Sequence, residues 1–61
     1  MFKIEYDMLV GNDVRPMTFD FIFYSAWAAG LKAREIRNAL NVDVYVYNIS
    51  TGEIIDYYWG Q

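Results

Sequence analysis

The chain contains neither His nor Cys, so no zinc cluster, Cys–His pair or Ser–His–Asp arrangement can be assembled from it. Chemistry would have to come from carboxylates. Asp7, Asp20, Asp43 and Asp56 lie far apart in sequence, at positions expected to project from one face of a sheet. Mg2+ or Ca2+ needs several converging oxygens, whereas dispersed Asp side chains usually keep a surface solvated. A carboxylate pair of the glycosidase kind also needs a cleft for a sugar, and a 61-residue domain has little room for one. Gly11, Gly30, Gly52 and Gly60 are scattered and form no phosphate-binding loop. The chain is therefore expected to bind rather than catalyse, with no enzyme activity, no metal and no cofactor.

Three groups of side chains could recognise a partner. Strand alternation places Tyr45, Tyr47 and Tyr58 on one sheet face with Ile22, Tyr24 and Ile54, rimmed by Lys3, Glu5, Asp7, Asp20, Asp43 and Asp56. Exposed aromatics on a sheet suit base stacking. The acids around them repel phosphate, however, and tyrosine is enriched at protein interfaces. The competing reading is that the tyrosines brace neighbouring strands while their hydroxyls meet water. The second group, Trp27, Leu31 and Arg34, shares one side of a helix, away from its alanines. Trp27 is expected to fold over the sheet's edge, the alternative being a compact interface hot spot. In the third group, Lys32, Arg34 and Arg37 outweigh Glu35 and give segment 26–40 a charge of +2, against −5 for the rest and −3 overall. Three phosphate contacts would support only weak, salt-dependent nucleic-acid binding.

Five elements must position these groups. Residues 2–10 alternate apolar Phe2, Ile4, Tyr6, Met8 and Val10 with polar positions, the period of a half-buried strand. Gly11-Asn12-Asp13 suits a hairpin turn. An even-length loop, such as a two-residue turn at Gly11-Asn12, sets Tyr6 opposite Met17, Ile4 opposite Phe19 and Phe2 opposite Phe21. A three-residue loop would send each apolar set to the wrong face. The alternation predicts a second strand from Arg15 to Tyr24. Ser25 caps a helix running to about Leu40, with Ala26, Ala29, Ala33, Ile36 and Leu40 in one stripe. Gly30 borders that stripe; it costs about 1 kcal/mol against Ala, which close approach of an aromatic ring would explain.

Asn41 stops the helix, and Val42, Val44 and Val46 start a β-branched strand. Asn48 to Glu53 reads as a second hairpin turn. Its four-residue loop, 49–52, puts Gly52 in the left-handed region and lets the Asn48 side chain bond back into the turn. That register pairs Val46 with Ile55 and Val44 with Tyr57. The residues expected under the helix are then Phe19, Phe21, Phe23, Val44, Val46 and Tyr57.

The fold class read from this pattern is α+β: one domain spanning residues 1–61, ββαββ, with a four-stranded antiparallel sheet in the order 2-1-3-4 and one helix on one face. Pro16 lacks an N–H and agrees with strand two being an edge. An apolar strand, a Ser25-led alanine-rich helix, a Val-x-Val strand and Asn48-x-x-Thr51-Gly52-Glu53-Ile54-Ile55 resemble short uncharacterised ββαββ proteins of bacterial phages and mobile elements. The resemblance covers about the last two-thirds of the chain, and its Thr-Gly-Glu motif is a turn. It implies an accessory or host-interaction role and assigns no functional residues.

The resulting expectation is a small protein-interaction module of accessory, adaptor or inhibitor type, the alternative being a weak nucleic-acid binder using the basic helix. The interface candidates are Tyr24, Tyr45, Tyr47, Ile54 and Tyr58 on the sheet and Trp27, Leu31 and Arg34 on the helix. A domain this small buries only about 60% of its unfolded surface, and it has no disulfide to help. A homodimer or higher oligomer is therefore expected, paired through the strand-four edge from Ile54 to Trp59 or through two open faces. Early charge at Lys3 and Glu5 and the lack of a long apolar run point to a cytoplasmic protein with no membrane segment.

Overall fold

Turn chemistry closes two hairpins, and a capped helix joins them. The computed structural model describes residues 1–60. Strand β1 (Phe2–Val10) pairs antiparallel with β2 (Asp13–Thr18) through a two-residue turn. Gly11 takes φ 63° there, the positive-φ first position that matches strand twist. Met8 lies opposite Arg15 and Tyr6 opposite Met17, the register that parity requires. Helix α1 (Ala26–Leu40) follows, then β3 (Val44–Asn48) and β4 (Ile54–Tyr58). The sheet order is β2-β1-β3-β4 with antiparallel pairs throughout, so the expected α+β architecture is the observed one.

Both ends of α1 are closed locally. The Ser25 hydroxyl accepts from the Ala28 N–H at 3.4 Å, and Asn41 adopts the left-handed conformation with its N–H donated to the Arg37 carbonyl at 2.7 Å. The helix packs over β1, β3 and β4 but not β2. Ala29, Gly30, Ala33 and Ile36 face the sheet, and Ile4, Val44 and Val46 are fully buried beneath them. Each of these three contributes about 1.5–3 kcal/mol through burial. Ala26 and Leu40, expected in the stripe, are exposed at the helix ends.

Strand β2 departs from expectation. It ends at Thr18 rather than Tyr24, because the chain must leave the sheet's outer edge and climb to the helix layer. Phe19 still donates its N–H to the Ile4 carbonyl at 2.8 Å, after which Phe21 turns back onto the Phe19 carbonyl at 2.8 Å. Phe23, not Phe21, then exchanges hydrogen bonds with Phe2 at 2.7 and 2.9 Å. The excursion is two residues long, so parity survives. Phe23 stays on the core side and stacks with Phe19 at 6.2 Å, while Phe21 is 62% exposed rather than beneath the helix.

The second hairpin turn forms as read. Gly52 takes φ 73°, its N–H bonds the Asn48 carbonyl at 2.7 Å, and the Asn48 Oδ1 accepts from Ser50 at 2.9 Å. Beyond it the register changes. Tyr47 lies opposite Ile54, but Val46 lies opposite Asp56, leaving Ile55 as the extra residue of a β-bulge. A single inserted residue exchanges the faces of everything after it. Tyr58, not Tyr57, therefore sits opposite Val44 and packs against the core. Its hydroxyl lies 3.0 Å from where a Cβ on residue 30 would stand, which supplies the aromatic approach that Gly30 implied.

Candidate interaction face

The face of the sheet away from α1 is built from alternate residues of all four strands, with Thr18 and Pro16 of β2 opposite Glu5 and Asp7 towards its outer edge. Lys3, Glu5 and Asp7 come from β1, Tyr45 and Tyr47 from β3, and Ile54 and Tyr57 from β4. Cross-strand pairing sets Lys3 opposite Tyr47, Glu5 opposite Tyr45, and Tyr45 opposite Tyr57. The Tyr45 and Tyr57 rings stack at 5.7 Å with 20° between their planes, and Trp59 lies on Tyr57 at 4.4 Å. The result is a three-ring aromatic ladder over β3, β4 and the residue that follows β4. Tyr57 is 40% and Trp59 69% exposed. A shallow depression of about 270 Å3 opens beside the ladder, lined by Glu5, Tyr45, Tyr47, Gly52 and Ile54.

Carboxylates surround the rings. The Asp7 N–H donates to the Asp43 carbonyl at 3.1 Å, which makes the two acids cross-strand neighbours, a like-charge arrangement that disfavours folding. Asp43 is held on its other side, since its Oδ1 accepts the Gly60 N–H at 2.6 Å. Gly60 lies so close to the backbone of 41–43 that a Cβ there would fall 2.9 Å from the Val42 carbonyl carbon. The one ion pair among the described residues is Lys32–Glu35 on the helix, at 3.2 Å, so no cation engages Glu5 or Asp7. Partial desolvation, followed by the charges of Asp7 and Glu5, holds the Tyr45 hydroxyl above its ordinary pKa of 10.0. Desolvation and then Glu5 raise Tyr47, and desolvation and then Asp43 and Asp7 raise Tyr57.

The structure brings together Tyr45, Tyr47 and Ile54 of the expected face and removes others from it. Tyr58 and Asp56 are on the helix side, carried there by the Ile55 bulge. Tyr24 lies in the connector just before Ser25, 82% exposed and off the regular sheet. Sequence reasoning missed Tyr57 and Trp59. The available signal was the adjacent pair Ile54-Ile55, which breaks strict alternation and marks a bulge.

On the helix, Trp27 does not fold over the sheet's edge; it is 74% exposed, on the same outer surface as Leu31 and Arg34. The three basic residues do not form one stripe. Lys32 lies roughly 160° around the axis from Arg34 at 3.6 residues per turn. It is also occupied by Glu35 and sits 5.9 Å from the Phe19 ring centroid.

No protein-family model matches the chain, and no curated protein or solved structure is similar to it. Among the described residues, no group of three or more Asp and Glu is placed to hold a metal ion. No helix among them is long and apolar enough to cross a membrane.

Proposed function

We propose that the protein is a small interaction module that acts by occupying a surface of a partner protein with its open sheet face. The observation that carries this is the Tyr45–Tyr57–Trp59 ladder on a face no other element covers. Ladders of this kind stabilise a sheet without needing a terminal, largely exposed Trp, and aromatic residues of this type dominate interface hot spots. An accessory or host-interaction role, of the kind the resemblance to phage and mobile-element proteins implies, agrees with binding of this kind.

Capture from the native host's lysate tests the reading. Intact protein and a Tyr45→Thr/Tyr47→Thr variant serve as paired baits, Thr keeping β propensity while removing ring area. The variant should stay folded by circular dichroism and lose the partner that the parent captures. Equal capture by both baits would rule out the sheet face.

The nucleic-acid reading is the weaker one, because Lys32 and Arg34 point to different sides of the helix. It predicts a gel shift at low salt and tens of micromolar protein, and we expect none.

A further inference from the structure

We propose that the sheet face receives an extended, arginine-rich segment of the partner, whose guanidinium groups lie over Tyr45, Tyr57 and Trp59 while pairing with Glu5 and Asp7. This rests on the reading of that face as an interface and specifies the chemistry of its occupant.

Charge selects among the candidate occupants. Lys3 is the single base against Glu5, Asp7 and Asp43, and no ion pair neutralises Glu5 or Asp7. A second copy packed face to face would set these acids against themselves. A nucleic acid or acidic protein meets the same repulsion. A neutral apolar partner would bury Glu5 and Asp7 without counter-charges, which is costly. A basic segment removes each of these penalties.

Ring geometry then favours arginine over lysine. Glu5 stands opposite Tyr45, whose ring stacks on Tyr57 at 5.7 Å, so carboxylate and aromatic face are adjacent. A guanidinium is planar, stacks on rings and pairs with carboxylates through two parallel N–H bonds, whereas an ammonium is a strongly hydrated point charge. The depression between Glu5, Tyr45, Tyr47 and Ile54 lies beside this pair. Beyond desolvation, the largest cause, the charges of Asp7, Glu5 and Asp43 also raise the tyrosine pKa values, in keeping with the acids on this face.

Titration of the full chain, 15N-labelled, with a short Gly-Arg repeat peptide and its Gly-Lys counterpart tests the proposal. The expected result is amide shifts concentrated at Glu5, Asp7, Tyr45, Tyr47, Tyr57 and Trp59, with the arginine peptide bound several-fold tighter. Glu5→Gln with Asp7→Asn should weaken binding roughly tenfold, two half-buried carboxylates acting together. Asp13→Asn with Glu53→Gln makes the same charge change elsewhere and should leave binding unchanged. Equal affinities for both peptides, with shifts scattered to Asp13, Asp20 and Glu53, would overturn the proposal in favour of diffuse attraction. So would an oligonucleotide that shifts the same tyrosines. If neither peptide binds at millimolar concentration while lysate capture still depends on Tyr45 and Tyr47, the arginine occupant is wrong and the interface stands. If capture is also indifferent to those tyrosines, the interface reading itself fails.

Discussion

A Cβ at position 30 would stand 3.0 Å from the Tyr58 hydroxyl, so the helix comes close to the last strand at this point. Replacing Gly30 with Ala should add about 1 kcal/mol of helix propensity, offset by crowding at that hydroxyl. We expect Gly30→Ala to be near neutral in the parent and stabilising by about 1 kcal/mol in a Tyr58→Phe background, measured by urea denaturation. Equal effects in both backgrounds would mean that Tyr58 does not reach the helix. The tyrosines of the open face report on pH. Because Tyr45, Tyr47 and Tyr57 are raised above 10.0 in the folded state, the native chain holds its phenolic protons longer than the unfolded one. Their contribution to stability is complete below pH 10 and is lost as pH rises through the folded-state values. Denaturation midpoints should therefore fall above pH 10, and Tyr45→Phe with Tyr57→Phe should flatten that fall. An unchanged alkaline slope in the double variant would contradict the assignment.

Two small irregularities decide what each element presents. Deleting Ile55 would leave Ile54 opposite Tyr47 and Asp56 opposite Val46 in a continuous ladder, with Tyr57 and Tyr58 on their present faces. The variant should stay folded but carry a flatter, unprotected edge, since a bulge is one of the devices that prevent edge pairing. Sedimentation velocity should show more self-association than in the parent; a monodisperse, unchanged variant would show that the bulge does not guard the edge. The helix–sheet seam is a second test. Ala33 is fully buried above Val44 and Val46, so Ala33→Leu should cost roughly 1–3 kcal/mol through overpacking. A thermal melt matching the parent's would place Ala33 elsewhere.

The molecule as a whole is elongated, 33 × 19 × 17 Å, and its buried core among the described residues is Ile4, Ala29, Ala33, Ile36, Val44 and Val46. Large apolar side chains remain outside it, Trp27 and Leu31 among them. The Ile55 bulge weakens the edge route to a dimer, and like charge weakens the open-face route. We expect self-association at micromolar concentration to pass instead through the outer helix surface. In light scattering coupled to size exclusion, Trp27→Lys should return the assembly to the 7.2 kDa monomer, and Tyr47→Thr should not. A parent that is monomeric up to millimolar concentration would refute this and leave its apolar surface to a foreign partner.

What the sequence determined by itself was local. Ser25 and Asn41 bound the helix, Gly11 and Gly52 take the positive φ their turns require, and parity pairs Tyr6 with Met17. Each follows from the conformational limits of a few neighbouring residues. Strand order was also legible, because one helix between two hairpins leaves few ways to close a four-stranded sheet. Tertiary packing decided the faces. The excursion at 20–22 adds two residues and leaves Phe23 on the core side, so its absence from the sequence reading moved no later residue across the sheet. The bulge at Ile55 adds one, and with it Tyr57 and Trp59 join Tyr45 on the open face while Tyr58 goes under Gly30. Strand periodicity is two, so an odd insertion exchanges faces and an even one does not. Whether an insertion occurs depends on how side chains from distant elements fit together, here the Tyr58 hydroxyl against the gap at Gly30, and local sequence carries only a trace of that fit.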